Sequence, residues 1–227
     1  MNQLLIVIPF CTNDAVLAER LCDFIFLVNR RVKKWSVLLA ASNDVHAELV
    51  GKVRAAAEVA FENVDFITVP ATVDPNKNIH INRMFHTIAT HISKTYRTPF
   101  LWLEPDCVPI DEDWFDKISA KHYEQTKRYS GSWLMGRHLF QARVSVYPPD
   151  AINDFVAGNA PFNMLNGESV VAKSTKTRLV QESHVTDPAF QANEGVVLIH
   201  HDKGGILIET LREKFERLAT KPAKGKK

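Results

Sequence analysis

Residues 4–8 read Leu-Leu-Ile-Val-Ile, a continuous apolar and largely β-branched run that stops at Pro9. A run without polar alternation suits a strand buried on both faces, as in a parallel sheet. Thr12, Asn13 and Asp14 then offer capping side chains, and Leu17, Leu21, Phe24, Ile25 and Val28 recur at helical spacing. The unit repeats. Residues 36–41 predict a second strand, Ser42-Asn43-Asp44 a turn and cap, and an alanine-rich segment a helix to about Phe61. Residues 66–69 predict a third strand closed by Pro70. A loop with Asp74-Pro75-Asn76 leads into a helix carrying Met84, Phe85, Ile88, Ala89 and Ile92 on one face. Residues 99–103 predict a fourth strand. Strands alternating with helices predict an α/β fold with a doubly wound, mostly parallel sheet.

The regularity fades after Asp106. Asp111-Glu112-Asp113 can open a short helix, with acid at its positive end. Residues 132–136, 143–147, 178–181 and 196–199 are strand candidates, and residues 148–170 are loop-rich. Ile206, Leu207, Leu211, Phe215 and Leu218 mark a final amphipathic helix. Trp102 and Trp133 lie in apolar runs and read as core. The expected organisation is one domain over 1–208, with a nucleotide-binding half (1–106) and an acceptor-binding half (107–208). A C-terminal helix and basic tail (209–227) follow.

Composition narrows the function classes. The chain has 227 residues, 45% of them hydrophobic and 24% charged, with a formal net charge of +2. That suits one soluble α/β domain and does not by itself call for nucleic acid. Lys221, Lys224, Lys226 and Lys227 form a basic end, expected to be solvated. Three cysteines, Cys11, Cys22 and Cys107, match neither a disulfide framework nor a zinc pattern and fit a reducing compartment. The first apolar run is too short to span a bilayer and no signal peptide precedes it, so a cytoplasmic location is expected.

Two strand ends carry the candidate chemistry. Phe100-Leu101-Trp102-Leu103-Glu104-Pro105-Asp106 ends in two carboxylates two residues apart. In extended chain these point to one side, and Pro105 favours extension. Like charges side by side call for a divalent ion or hydrogen-bond donors. The second end is His200-His201-Asp202-Lys203-Gly204-Gly205. Its imidazole can complete a manganese-type site and its lysine can offset diphosphate charge; a polar turn capping the last helix is the plainer reading. Together, a metal and a cation would stabilise a departing nucleoside diphosphate.

With these motifs in place, the chain resembles the GT-A glycosyltransferases, and most closely phage-encoded GT-A-like sugar transferases. The strand ending Ile8-Pro9, the turn Asn43-Asp44 and Leu101-Trp102-Leu103-Glu104-Pro105-Asp106 carry the likeness, with Glu104-Pro105-Asp106 in the place of the Asp-x-Asp motif. Val146-Tyr147-Pro148, Leu179-Val180-Gln181 and the closing residues 200–203 extend it over most of residues 4–208. The resemblance implies a divalent metal, Mn2+ or Mg2+, held by Asp106, His200 and Glu104, the last through water or in contact with the donor ribose. It implies a nucleotide-sugar donor, a UDP-sugar by default. Pro9 and Phe10 would flank the base, Asp44 would lie near its edge, Asn82 would face ribose or diphosphate, and Lys203 the diphosphate. Asp106 and Glu168 are the candidate catalytic residues, Glu168 as base. Related sequences favour an aspartate where this chain has Asn163, which cannot accept a proton; Asp187 and Asp150 are back-ups. The phage likeness adds an acceptor expectation, the hydroxymethyl group of a modified pyrimidine in double-stranded DNA. Arg137, His138, Arg143, Lys173, Lys176 and Arg178 would meet its backbone. Alternatives are a glycan acceptor, a nucleotidyltransferase, which would usually show a glycine-rich loop absent after residues 4–8, or a non-catalytic nucleotide-sugar or DNA-binding module.

Overall fold

A computed structural model describes residues 4–71, 77–135, 139–155 and 173–219. Asn163 and Glu168, Arg137 and His138, and the lysine tail lie outside the described residues.

The first half follows the predicted alternation. Strand β1 (Leu5–Phe10), helix α1 (Ala15–Val28), β2 (Ser36–Ser42), α2 (Ala47–Ala60), β3 (Asn63–Val69), α3 (Lys77–Thr95) and β4 (Phe100–Trp102) appear in order. β1 pairs in parallel with β2 and β4, and β2 with β3. The apolar run of β1 is continuous because each face has its own core. Leu4, Ile6, Ile8 and Phe10 face one cluster with α1 and α2. Leu5 and Val7 face another, against Met84, Phe85 and Ile88 of α3 and Trp102. This is strand periodicity applied to a sheet covered on both sides.

The second half completes the sheet. After β5 (Val108–Pro109) and α4 (Trp114–Tyr123) come β6 (Tyr129–Met135), β7 (Leu139–Tyr147), a 3-10 turn (Ala151–Asp154) and β8 (Ser174–Lys176). β7 inserts antiparallel beside β4, giving a seven-stranded order β3-β2-β1-β4-β7-β6-β8. β9 (Val180–Glu182), β10 (Leu198–His200) and β5 form a second, three-stranded sheet, and α5 (Ile206–Ala219) packs back on α1 through Phe215 and Phe24. The mixed α/β, mostly parallel architecture matches the expectation. β5 and β8 were not predicted, being too short to show a period, whereas the expected strands at 178–181 and 196–199 appear as β9 and β10 but pair with β5 in a separate sheet.

The expected extended segment at 104–106 is also corrected. β4 ends at Trp102, and Cys107 donates its N–H to the Glu104 carbonyl at 3.0 Å. Residues 104–107 thus form a β-turn with Pro105 at its second position, where the fixed φ of proline is favoured.

Candidate active site

The β-turn after β4 and the end of β10 meet at one place. The Asp202 N–H donates to the Asp106 carbonyl at 2.9 Å, tying the two backbones together. β9 lies parallel to β10 with Glu182 in register with His200. Neighbours in register point to the same face of a sheet, so Glu182 stands beside the His200 ring.

His200 is surrounded by acid. Its Nε2 lies 2.9 Å from Glu104 Oε2 and 3.2 Å from Asp106 Oδ1, and its Nδ1 lies 2.6 Å from Glu182 Oε2. His201 would ordinarily point to the opposite face. Its φ of 80° lies in the left-handed region and turns it back, so that the two rings stack at 3.7 Å. His201 Nε2 then reaches Glu182 Oε2 at 3.3 Å, and its Nδ1 lies 3.7 Å from Asp106 Oδ2. His184 stacks on the outer face of His201 at 4.6 Å. Arg143 of β7 bridges to Glu104 Oε1 at 3.1 Å.

These contacts set the charges. Burial pushes the Asp106 carboxyl up, but the His200 and His201 rings beside it outweigh that and hold the group well below the usual carboxylate range. The same balance holds Glu182 at about 2. Burial pushes His200 down, yet its bonds to Asp106, Glu104 and Glu182 hold it well above its ordinary value. His201 is raised by the neighbouring carboxylates of Asp106 and Glu182. Without a cation, the carboxylates are balanced by imidazolium protons and Arg143.

A divalent ion fits this donor set. Asp106, His200 and His201 each offer a ligand atom, all within 4.8 Å of one another, and Glu104 adjoins them. Two buried atoms at the site have no hydrogen-bond partner, His201 Nδ1 and Glu182 Oε1. Buried polar atoms are normally satisfied, and a cation taking the place of the shared protons would give the His201 nitrogen a partner. Mixed nitrogen and oxygen donors suit a first-row transition ion.

The sequence-predicted residues fall in three groups. Glu104, Asp106 and His200 are brought together. Pro9, expected to end the first strand, lies inside β1, which runs on to Phe10, and Asp44 is exposed in the turn after β2, its carbonyl accepting from the Thr12 hydroxyl at 3.0 Å. Phe10 is 1% exposed in the core cluster, so its ring packs beneath the strand end instead of standing open to a base. Asn82 is buried on α3, and Lys203 is exposed beyond His201. Of the back-up bases, Asp150 pairs with Arg128 and Asp187 accepts from the Ala189 N–H, closing its own turn. Asp14 was read as a helix cap, but its carboxylate turns back to the Cys11 N–H at 2.5 Å. Burial raises its pKa, with the neighbouring charge of Glu104 adding to the effect.

Sequence reasoning missed His201 and Glu182 as site residues. The doublet His200-His201 was visible, but adjacent strand residues are expected on opposite faces; only the backbone turn unites them. Glu182 gave no signal, since its role depends on the pairing of β9 with β10. Beside Glu182 an open cleft of about 750 Å3 is lined by Ser132, Lys176, Arg178, Gln181 and Asn193, among others.

No family model matches this sequence, and no curated protein matches it. Solved structures do match in fold. The galactosyltransferase LgtC, solved in complex with donor and acceptor sugar analogs, superposes with a TM-score of 0.58 at 13% identity, over 97% of this chain and 98% of that one. The bifunctional glycosyltransferase WbbM aligns at TM-score 0.54 and 10% identity, covering 95% of this chain and 51% of that one. The glycosyltransferase GlyE of Streptococcus pneumoniae aligns at 0.53 and 8%, covering 99% and 67%. At such identities the likeness establishes architecture, and that architecture is the GT-A fold that the strand-end motifs implied.

Proposed function

We propose that the protein is a metal-dependent glycosyltransferase that moves a sugar from a nucleotide-sugar donor to a hydroxyl acceptor. One observation carries this reading: two carboxylates at the end of β4 meet two imidazoles at the end of β10, at the carboxyl edge of a sheet with the GT-A strand order. Ligands of open α/β sheets bind at that edge. Asp106 and His200 would hold the ion, with Glu104 and His201 beside them. A bound divalent ion supplies positive charge against the diphosphate that leaves as the sugar–oxygen bond breaks.

The chain's own residues supply the rest. Arg143 fixes one oxygen of Glu104, leaving the other to face the imidazoles. Lys203, exposed two residues after His201, would meet diphosphate oxygens. The donor base would enter at the exposed turn of Asp44 and the backbone after Pro9. The cleft beside Glu182 is the candidate acceptor side.

The acceptor is a hydroxyl of a saccharide or of a modified DNA base. The fold likeness to LgtC, solved with an acceptor sugar analog, supports a saccharide. The DNA reading keeps fewer cations than the sequence offered. Arg143 is engaged with Glu104 and Lys173 with Asp154, while Lys176 and Arg178 remain on the cleft.

The test is thermal unfolding with a panel of nucleoside diphosphates, with and without Mn2+. The expected result is a stabilisation that needs one nucleotide together with the metal and disappears in Asp106→Asn. Labelled sugar from that nucleotide is then offered to hydroxymethylated DNA and to a glycan panel. No nucleotide-dependent shift, and no transfer to either acceptor, would overturn the reading.

A further inference from the structure

We propose that Glu182 is a positioning residue that sets the tautomers of both His200 and His201, so that one Nε2 and one Nδ1 face the same cation beside Asp106. The inference rests on the metal-dependent reading above and adds to it a residue and a ligand type.

The geometry is asymmetric in an informative way. Glu182 Oε2 sits 2.6 Å from His200 Nδ1 and 3.3 Å from His201 Nε2. A neutral imidazole that donates through one nitrogen presents a lone pair at the other. One carboxylate oxygen therefore selects opposite tautomers in adjacent residues. In His200 the other nitrogen is Nε2, 2.9 Å from Glu104 Oε2 and 3.2 Å from Asp106 Oδ1, where a cation would take the place of its proton. In His201 it is Nδ1, 3.7 Å from Asp106 Oδ2 and without a hydrogen-bond partner. The positive φ of His201 and the parallel stack of the two rings hold this convergence. A carboxylate that orients ligating imidazoles commonly affects metal affinity by about 10- to 100-fold. A face of two nitrogens and one carboxylate also favours Mn2+, Co2+ or Zn2+ over Mg2+, which prefers oxygen. Glutamine at 182 would keep one acceptor oxygen able to serve both rings, as Oε2 does, whereas leucine is of similar size and removes every acceptor.

The experiment uses the full chain, stripped of metal and titrated with Co2+ by visible absorption and with Mn2+ by electron paramagnetic resonance. Glu182→Leu is expected to weaken both metals about 10- to 100-fold and to change the Co2+ band, with Glu182→Asp recovering part of the affinity. Unchanged affinity and an unchanged band in Glu182→Leu overturn the proposal. If wild-type protein, folded by circular dichroism, binds neither ion, the metal reading itself fails and takes this inference with it. A measurement on wild type alone guards against a misfolded variant. Two-bond proton–nitrogen spectra of the Zn2+-loaded protein should show His200 protonated at Nδ1 and His201 at Nε2; the same tautomer in both rings overturns the assignment.

Discussion

At the scale of single residues, burial and one neighbour decide what a histidine does. His200 and His122 are both buried, yet they titrate in opposite directions. Three carboxylates surround His200 and favour its charged form. His122, at the end of α4, meets the Ser130 hydroxyl at 3.0 Å, and burial lowers its pKa below the ordinary 6.5. The unfolded chain therefore binds the His122 proton more readily than the folded one. Its contribution to stability is whole above about pH 6.5 and is lost as pH falls through the folded value. Urea unfolding of wild type and His122→Gln at steps from pH 7 to pH 5 should show wild type losing stability relative to the variant as pH falls. Parallel pH profiles would mean that this ring is not held neutral by burial. His201 is a different case: its φ of 80° is an uncommon conformation for a residue with a side chain, and it is stabilised by the contacts with Glu182 and with the His184 and His200 rings.

At the scale of elements, two local contacts hold the parts that carry the site. Asp202 is 1% exposed, and its Oδ2 accepts from the N–H groups of Leu207 and Ile208 at 3.0 and 3.2 Å. It caps α5, satisfying donors that the first turn of a helix cannot satisfy itself. The motif after β10 is thus divided, with His200 and His201 facing the acids and Asp202 capping the helix. Asp202→Ala should cost about 1–2 kcal/mol, read by denaturant unfolding, and Asp202→Asn appreciably less. Equal losses would mean that the carboxamide cannot cap there. The second contact joins β6 to β7, whose register shifts between Gly131 and Trp133. A Cβ at Gly131 would stand 1.9 Å from Ser145 Oγ and 2.7 Å from its Cβ. The hydroxyl can rotate away but the Cβ cannot, so Gly131→Ala should lose about 1–3 kcal/mol. Adding Ser145→Gly should return part of that loss. A Gly131→Ala variant as stable as wild type would rule out so close an approach.

At the scale of the molecule, the site is assembled from segments far apart in sequence. The Glu104 and His200 side chains that meet are 96 residues apart. A ligand that binds only this assembled form must stabilise the whole fold by mass action. At a metal concentration 100-fold above Kd the gain is about 2.7 kcal/mol, or roughly 5–10 °C in Tm for a chain of this size. Scanning calorimetry with Mn2+ and with chelator should show that gap in wild type and close it in Asp106→Asn. A gap of equal size in Asp106→Asn would place the stabilising ion elsewhere. No described helix is long and apolar enough to cross a membrane.

The sequence alone determined the alternating first half, because long apolar strands and amphipathic helices carry their period within one element. It also marked Glu104, Asp106 and His200, because paired carboxylates and an imidazole at strand ends are unusual enough to stand out. Tertiary structure alone decided the rest. The antiparallel insertion of β7, the short strands β5 and β8, and the second sheet depend on pairing between segments, and strands of two or three residues show no period. Arg143 read as a free cation until β7 was placed beside β4, where it meets Glu104. Glu182 became part of the site through the register of β9 on β10, and His201 through a single backbone angle. Local sequence sets a side chain's chemistry and the face it prefers; which groups it meets is fixed only when distant strands pair.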